Sequence, residues 1–307
     1  MPAIEFWYEF ASTYSYPAAM RIETLTRGTG VVVRWRPFLL GPIFASQGMT
    51  DSPFNLYPAK GRYMWRDLER ICAREGVALA LPPARFPQNG LKAARLALAG
   101  ESEGWIADFT RAVYTANFAQ QKDISDDATL AEILKGLGVD PEGAFAAANT
   151  VENKDRLKAQ TEEAQARGIF GAPSFTVGDE LFWGNDRLEE AVNLATNPSK
   201  ILSEELARTD PTVVVRMRPL LVDPPKFSVA AWDYRAPHEV TEYLPCWIVL
   251  RQSKLAIAYS PRGFGPSHPW GLLWLKNGEW PGTMGQDSAW FATLAEAFEN
   301  FSVGDEK

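Results

Sequence analysis

The opening forty residues of the chain predict a strand, a helix and a second strand in close succession. Ile4–Phe10 is short and aromatic and is followed by small polar residues, as a buried strand often is. From Ser15 apolar residues recur at helical spacing as far as Gly28, a residue that commonly ends a helix. The β-branched run Val31–Trp35 predicts the second strand. Because a helix separates them, the two strands are expected to pair in parallel in a helix-covered sheet.

A long and mainly helical segment follows, and two short strands and a last helix come after it. Helical patterns fill most of residues 40–150, whereas Ser174–Val177 and Leu181–Trp183 flank a Gly-Asp turn that is typical of a β-hairpin. The order βαβ, helices, ββα predicts an α/β, thioredoxin-like fold with an inserted helical subdomain. We place this domain at residues 1–200.

Residues 208–307 differ in character and predict a second, small antiparallel α+β domain. A break between the domains is expected between Pro198 and Pro211. Within the tail, the Asn277-Gly278 pair is a strong signal for a hairpin turn. Ala289–Phe298 has apolar residues at helical spacing, which predicts an amphipathic helix.

Composition and charge limit the functions open to the chain. The 307 residues are 46% hydrophobic and 22% charged, and the formal net charge of −7 argues against a general nucleic-acid binder, which needs a basic face. Cys72 and Cys246 lie far apart and form neither a CxxC motif nor a metal-ligand spacing, so we expect two buried thiols and no metal site. We therefore expect a reducing compartment, the cytoplasm, and we find neither a secretory signal nor a membrane span.

The junction between the first strand and the first helix carries the residues of most chemical interest. Ser12-Thr13-Tyr14-Ser15 occupies the position at which redox proteins of this fold have CxxC, at the positive end of the helix dipole. Since these residues contain no sulfur, thiol–disulfide exchange by the protein itself is excluded. A serine here can hydrogen-bond an external thiolate. The alternative is that Ser12 or Ser15 only caps the helix.

Three further segments favour a ligand site. Ala172-Pro173 precedes a strand at the point where this fold has a cis proline, and such a bond would leave the Ala172 N–H and C=O free for an extended peptide-like ligand. The alternative is a proline that merely starts a strand. Asp186 either caps the last helix or binds an ammonium group over its start. Lys60 precedes an insertion helix, and alone it indicates only a solvated surface.

These segments resemble, in order and spacing, those of 2-hydroxychromene-2-carboxylate isomerases and kappa-class glutathione transferases, which belong to the DsbA-like branch of the thioredoxin fold. The segments are Ser12-x-x-Ser15-Tyr16, Pro58-x-Lys60-Gly-x-Tyr63-Met64, Phe170-Gly-x-Pro173 and Trp183-Gly-Asn-Asp-Arg187. The resemblance runs from about Ile4 to Ala195 and does not reach the tail.

The resemblance implies glutathione as the cofactor and Ser12 as the catalytic residue, hydrogen-bonded to its sulfur. Ala172 would pair with the cysteinyl part, and Asn185 and Asp186 would hold the γ-glutamyl group. Lys60 would approach the glycyl carboxylate or the substrate. The family also has an asparagine upstream of this lysine, for which Asn55 is the nearest candidate although the intervening loop differs in length. The predicted cofactor-binding residues are Ser12, Asn55, Lys60, Ala172, Pro173, Trp183, Gly184, Asn185 and Asp186.

The implied reaction is thiol chemistry supplied by glutathione. The thiolate would add reversibly to an unsaturated carbonyl or carboxylate, permit bond rotation or ring opening, and leave again. Because no histidine lies near Ser12 in the sequence, we assign Ser12 to stabilising the thiolate rather than to nucleophilic attack. The partner is then a small planar aromatic or unsaturated carboxylate, with Tyr14, Phe44 and Tyr63 as stacking residues. Ordinary core packing is the alternative for these aromatic side chains.

Three functions stay open on the sequence alone. The first is the glutathione-dependent isomerase, and the second is a kappa-like transferase that consumes glutathione. The third is a thioredoxin-fold binding protein without enzymatic activity. The role of residues 208–307 is open as well, whether as a cover for the pocket, as the interface of a homodimer or as a site for another protein. Neither a nucleic-acid nor a membrane partner is expected.

Overall fold

The aromatic run predicted as the first strand lies in the middle of a four-stranded sheet. Its strands are β1 (Ala3–Tyr8), β2 (Val32–Pro37), β3 (Ser174–Val177) and β4 (Glu180–Trp183). The order is β2-β1-β3-β4, and β3 is antiparallel both to β1 and to β4. Glu5 of β1 lies opposite Thr176 of β3, so residues from the two ends of the predicted domain meet in the sheet.

This computed structural model describes residues 2–81, 83, 85–232, 243–261, 267–275, 282–284 and 290–301. Contacts within the chain define two compact units. The larger unit comprises residues 4–23 and 33–188, and the smaller unit comprises residues 1–3, 24–32 and 189–307. The predicted domain boundaries at residues 200 and 208 stay a prediction.

Helices connect and extend the four-stranded sheet. They are α1 (Ser15–Thr26), α2 (Leu40–Ser46), α3 (Pro53–Leu56), α4 (Pro58–Glu75), α5 (Leu91–Ala99), α6 (Ile106–Phe118), α7 (Asp127–Gly136), α8 (Pro141–Asn149), α9 (Val151–Ala166) and α10 (Leu188–Thr196). Local signals set several of their ends. Asp126 and Asp140 cap α7 and α8 with their side chains, and Gly76 ends α4 in the left-handed conformation. The predicted α/β fold with inserted helices is confirmed.

Aromatic side chains form the centre of the larger unit. The Phe6 ring lies 5.0 Å from Tyr8, 5.1 Å from Trp35 and 5.3 Å from Phe175, measured between ring centroids. Phe6 and Tyr8 are fully buried. The Tyr8 hydroxyl hydrogen-bonds Thr110 of α6 at 2.8 Å. These contacts fix the end of β1, and therefore the turn that follows it, against the helical insertion.

The smaller unit contains a second sheet with the order β10-β8-β7-β6-β5-β9. Its elements are α11 (Pro198–Arg208), α12 (Pro211–Met217), β5 (Leu221–Trp232), β6 (Tyr243–Gln252), β7 (Leu255–Tyr259), β8 (Trp270–Leu275), β9 (Gly282–Met284), β10 (Trp290–Phe291) and α13 (Leu294–Phe301). Because β9 pairs both with β5 and with β8, strands β5–β9 close into a barrel. The predicted C-terminal α+β part is confirmed.

The tail contains a helix that was not predicted, and the predicted last helix begins later than expected. The expected break contains helix α11, because Pro198 is its first residue and the Asn197 side chain caps it by accepting the Lys200 N–H. The last helix begins at Leu294 rather than Ala289, since Trp290–Phe291 forms a strand. The predicted Asn277-Gly278 hairpin lies outside the described residues. Within the described part of the chain, no helix has the length and apolar character needed to span a membrane.

Candidate active site

A cavity of about 1610 Å³ opens at the point where β1 gives way to α1. Its wall includes residues 11–14, most residues of the segment 39–54, the segment 86–91 and the residues on either side of Pro173. Ligand pockets for drug-sized molecules are commonly ~300–1000 Å³, so this cavity has room for more than one small molecule. All the lining residues belong to the larger unit.

Ser12 lies in the cavity wall three residues before the start of α1. Its hydroxyl donates a hydrogen bond to the Ala172 carbonyl at 2.8 Å, and the Ser15 N–H approaches its Oγ at 3.4 Å. Ser12 is half-buried, whereas Thr13 and Ser15 are buried. The hydroxyl therefore stands at the positive end of α1 and contacts both the helix terminus and the opposite wall.

The Ala172–Pro173 peptide bond is cis, and Ser12 contacts it through the Ala172 carbonyl. The predictions of a cis bond and of its closeness to Ser12 are confirmed. The expectation that both backbone groups of Ala172 are free is wrong for the C=O, because the Ser12 hydroxyl takes it as an acceptor. The Ala172 N–H has no acceptor among the described residues.

The end of β4 supplies the next part of the wall. Asn185 is buried, and its side-chain oxygen accepts a hydrogen bond from Arg21 at 3.2 Å; Arg21 in turn pairs with Glu75 at 2.9 Å. The Asp186 carboxylate is exposed and lies 3.8 Å from Arg187. The Asn185 amide is thus fixed in place, whereas Asp186 is accessible to a ligand.

Two glycines allow close packing in this part of the wall. A Cβ atom added to Gly171 would lie 2.4 Å from the Trp183 indole nitrogen, so only glycine permits the indole to lie against this backbone. Trp183 also packs against Phe170, with 4.8 Å between ring centroids. Gly184 has φ +110°, and an added Cβ there would lie 2.5 Å from an Asp186 carboxylate oxygen. The Phe-Gly-x-Pro and Trp-Gly-Asn-Asp segments therefore form one surface.

Of the remaining predicted residues, three line the cavity and two do not. The Lys60 ammonium lies over the Tyr57 ring, 4.7 Å from its centroid, and reaches the cavity. Phe44 is half-buried in the wall. Asn55 donates hydrogen bonds to Asp51 and to the Phe86 carbonyl, and Tyr63 is exposed on α4; neither of them lines the cavity.

Tyr14 lines the cavity and also contacts α4. Its hydroxyl donates a hydrogen bond to Asp67 at 3.0 Å. Burial, reinforced by the Asp67 carboxylate, raises the pKa of the Tyr14 phenol well above its usual value. The Tyr14 hydroxyl therefore stays protonated and acts as a hydrogen-bond donor rather than as a base.

The cavity wall also contains a carboxyl group that the sequence analysis did not identify. Glu9 is half-buried beside the Ser12 turn, and its Oε2 accepts the Ala11 N–H at 2.9 Å. Burial raises the pKa of Glu9 to about 7, although hydrogen bonds from the Ala11 and Ser12 N–H groups lower it in part. The sequence signal that could have identified Glu9 is its position as a single carboxylate between the aromatic residues Tyr8 and Phe10.

The described residues offer neither a thiol nor a metal site in this wall. Cys72 and Cys246 are both buried, and neither lines the cavity. In the part of the chain that the structure describes, no cluster of His, Cys, Asp and Glu is suited to hold a metal ion. A reaction that needs sulfur at Ser12 must therefore take it from a bound molecule.

Comparison with known proteins gives a consistent family. The sequence model of the DSBA-like thioredoxin domain matches residues 3–194. A 2-hydroxychromene-2-carboxylate isomerase from Sphingobium xenophagum is 29% identical over 186 residues, which are 61% of this chain and 94% of that protein. Glutathione S-transferase kappa 1 from Caenorhabditis elegans is 25% identical over 214 residues, which are 66% of this chain and 94% of that protein.

A solved structure supports the fold. A selenomethionine structure of 2-hydroxychromene-2-carboxylate isomerase superposes with a TM-score of 0.59 at 23% identity. The superposition covers 68% of this chain and 100% of that chain. The residues that the family model matches, 3–194, include all the residues that line the cavity.

Proposed function

Because the chain belongs to the DSBA-like thioredoxin domain family, we propose that it is a glutathione-dependent isomerase of a small, planar, unsaturated carboxylate. The observation that carries this proposal is the serine at the N-terminus of α1. Ser12 lies where redox members of this fold have a cysteine, and no cysteine lines the cavity. A thiol cofactor is the molecule that completes such a site.

One polar group in the wall has no partner and fits a peptide-like ligand. The Ala172 N–H has no acceptor among the described residues, and the neighbouring carbonyl already binds Ser12. Polar groups of a folded protein are rarely left unsatisfied, so a bound peptide backbone is a suitable partner for this N–H.

The charges of the wall fit the two ends of glutathione. The exposed Asp186 carboxylate suits the ammonium group of the γ-glutamyl part, and the buried Asn185 amide beside it is held by Arg21. Lys60 offers a cation for a carboxylate, either that of the glycyl end or that of the substrate. Such charge-assisted hydrogen bonds contribute about 1.5–3 kcal/mol each.

When bound, glutathione would supply a nucleophilic sulfur that the protein lacks at this site. Ser12, once its hydroxyl turns from the Ala172 carbonyl to the sulfur, and the α1 terminus would stabilise negative charge there. The apolar part of the wall contains Phe44, Phe54 and Phe86. A planar substrate can pack against these rings and thereby exclude water. The absence of a membrane-spanning helix among the described residues and the buried thiols are compatible with the cytoplasm, where glutathione is abundant.

A single assay tests this proposal. 2-Hydroxychromene-2-carboxylate is followed by its absorbance in the presence and absence of glutathione, and the free thiol is titrated before and after. We expect interconversion only with glutathione present and no loss of thiol. Turnover without glutathione would refute the mechanism.

The same assay separates the alternatives. Loss of one thiol for each substrate molecule would identify a transferase, which the similarity to the kappa enzymes keeps as the second candidate. Binding of glutathione without any turnover of unsaturated carboxylates would favour a non-enzymatic binding protein.

Asp186→Ala is expected to weaken glutathione binding about 10- to 150-fold, because it removes one charge-assisted hydrogen bond of ~1.5–3 kcal/mol. Asp179→Ala is the matched control, since Asp179 is an exposed aspartate in the turn of the same hairpin and does not line the cavity. Calorimetric titration with glutathione measures both. Equal affinities of the two variants would remove Asp186 from the site.

A further inference from the structure

The turn that leads to Ser12 is built around Glu9. The Glu9 carboxyl accepts the Ala11 N–H at 2.9 Å, and its backbone carbonyl accepts the Ser12 N–H at 2.9 Å and the Tyr114 hydroxyl at 2.8 Å. Glu9 and Ser12 both line the cavity. The carboxyl group is therefore held in the same wall as the serine, three residues away.

Gly90, which directly precedes α5, leaves space for this carboxyl group. A Cβ atom added to Gly90 would lie 3.0 Å from Glu9 Oε1 and 2.9 Å from the Phe10 Cβ. The backbone at Gly90 therefore lies directly against the carboxyl and shields it from water. Such shielding disfavours the charged form of a carboxyl group.

The groups that face Glu9 bring no compensating positive charge. Tyr114 on α6 and Tyr8 on β1 are phenols, and burial raises the pKa of both well above the usual value, so they stay neutral. Residues 86–90 contribute amide and backbone groups to the wall. Lys92, on α5, forms an ion pair with Asp127 at 2.7 Å. Among the described residues, burial and backbone N–H groups are the causes that set the titration of Glu9, and its pKa of about 7 is suited to proton transfer near neutral pH.

The other carboxylates of the cavity wall are engaged elsewhere. Asp67 accepts the Tyr14 hydroxyl, Asp51 accepts the Ser52 N–H, and Asp186 lies beside Arg187. Ser12 itself donates a hydrogen bond to the Ala172 carbonyl, and a neutral hydroxyl is far too weak a base to accept the proton of a thiol. Glu9 is the carboxyl that lies next to Ser12.

We infer that Glu9 is the general base of the site, accepting the proton of the glutathione thiol and later returning it. This inference rests on the proposed function. As the S–H bond breaks, an O–H bond forms on Glu9 and the negative charge passes to the sulfur. When the proton returns, the carboxylate is restored, so that a catalytic cycle neither consumes nor releases a proton.

The test is a proton inventory of glutathione binding, and it does not depend on turnover. Calorimetry in buffers of different ionisation heats gives the number of protons released, and the ultraviolet band of the thiolate gives its amount. At about pH 8, Glu9 is mostly ionised and free thiols, with a pKa of ~8.5, are mostly protonated. We expect a thiolate band with no net proton release, because the negative charge of the thiolate raises the pKa of the neighbouring Glu9 carboxyl and keeps the proton there. S-methylglutathione, which has no thiol proton, should bind with equal proton balance.

Glu9→Gln should still form the thiolate but release about one proton to the buffer for each glutathione bound, because the described residues of the wall then offer no acceptor for the thiol proton. Glu9→Asp, which keeps a carboxyl at this position, should release less. If the unmodified protein forms the thiolate and releases one proton to the buffer, the inference is wrong. The absence of proton release in Glu9→Gln, or equal release by the two variants, would overturn it as well. Absence of any binding heat with glutathione in the unmodified protein would instead refute the proposed function. The measurements on the unmodified protein stand even where a variant does not fold.

Discussion

Ser12→Ala is expected to lower kcat by ~100- to 1000-fold, the usual cost of removing one donor that stabilises developing charge at a reacting atom. The glutathione affinity should change little, because most of the proposed cofactor contacts come from other residues of the wall. Steady-state kinetics with the chromene carboxylate and calorimetric titration with glutathione separate the two effects.

Ser46→Ala provides a matched control for this substitution. The Ser46 hydroxyl donates a hydrogen bond to the Ile43 carbonyl at 2.8 Å, just as Ser12 donates to Ala172, but Ser46 does not line the cavity. Its kcat should stay within about twofold of the unmodified protein, as expected for a substitution away from the site. A Ser12→Ala variant with nearly full kcat would leave Ser12 with the helix-capping role alone.

Phe6→Ala is expected to lower the free energy of unfolding of the larger unit by about 3–5 kcal/mol. Phe6 is fully buried and touches aromatic residues of three sequence segments, so that its removal leaves a cavity that the surrounding rings cannot fill. Denaturant unfolding followed by fluorescence measures the change, since Trp35 lies against the substituted ring.

Tyr63→Ala is the control for this prediction. Tyr63 is 62% exposed on α4, and substitutions at such positions usually change stability by less than about 0.5 kcal/mol. Similar losses in both variants would mean that the aromatic cluster around Phe6 is not the main source of stability in this unit.

Residues that are close in sequence were the most predictable from the sequence. The Ser12 turn, Pro173 and the Trp183–Asp186 segment each have a local signature, and all three meet in the cavity. These three segments come together because the C-terminal ends of β1 and β4 lie at the same end of the sheet.

Residues whose role depends on distant packing were less predictable. Nothing near Glu9 in the sequence indicates that the backbone at Gly90, on another segment, covers its carboxyl group. Asn55 was chosen as the nearest asparagine upstream of Lys60, and Tyr63 as an aromatic residue near the site, yet both lie outside the cavity wall. In the tail, Pro198 was interpreted as a linker residue, although proline is equally suited to the first turn of a helix.

The pairing of β1 with β3 joins residues 171 positions apart, and the Ser12–Ala172 hydrogen bond spans 160 positions. The cavity is therefore assembled only when the entire helical insertion has folded between its two halves, at the entropic cost of a very long loop. A molecule that binds there binds the native state alone and thereby shifts the equilibrium of the whole unit. At one hundred times its Kd such a ligand adds about 2.7 kcal/mol to stability, so the abundance of the folded protein would depend on the supply of its ligand.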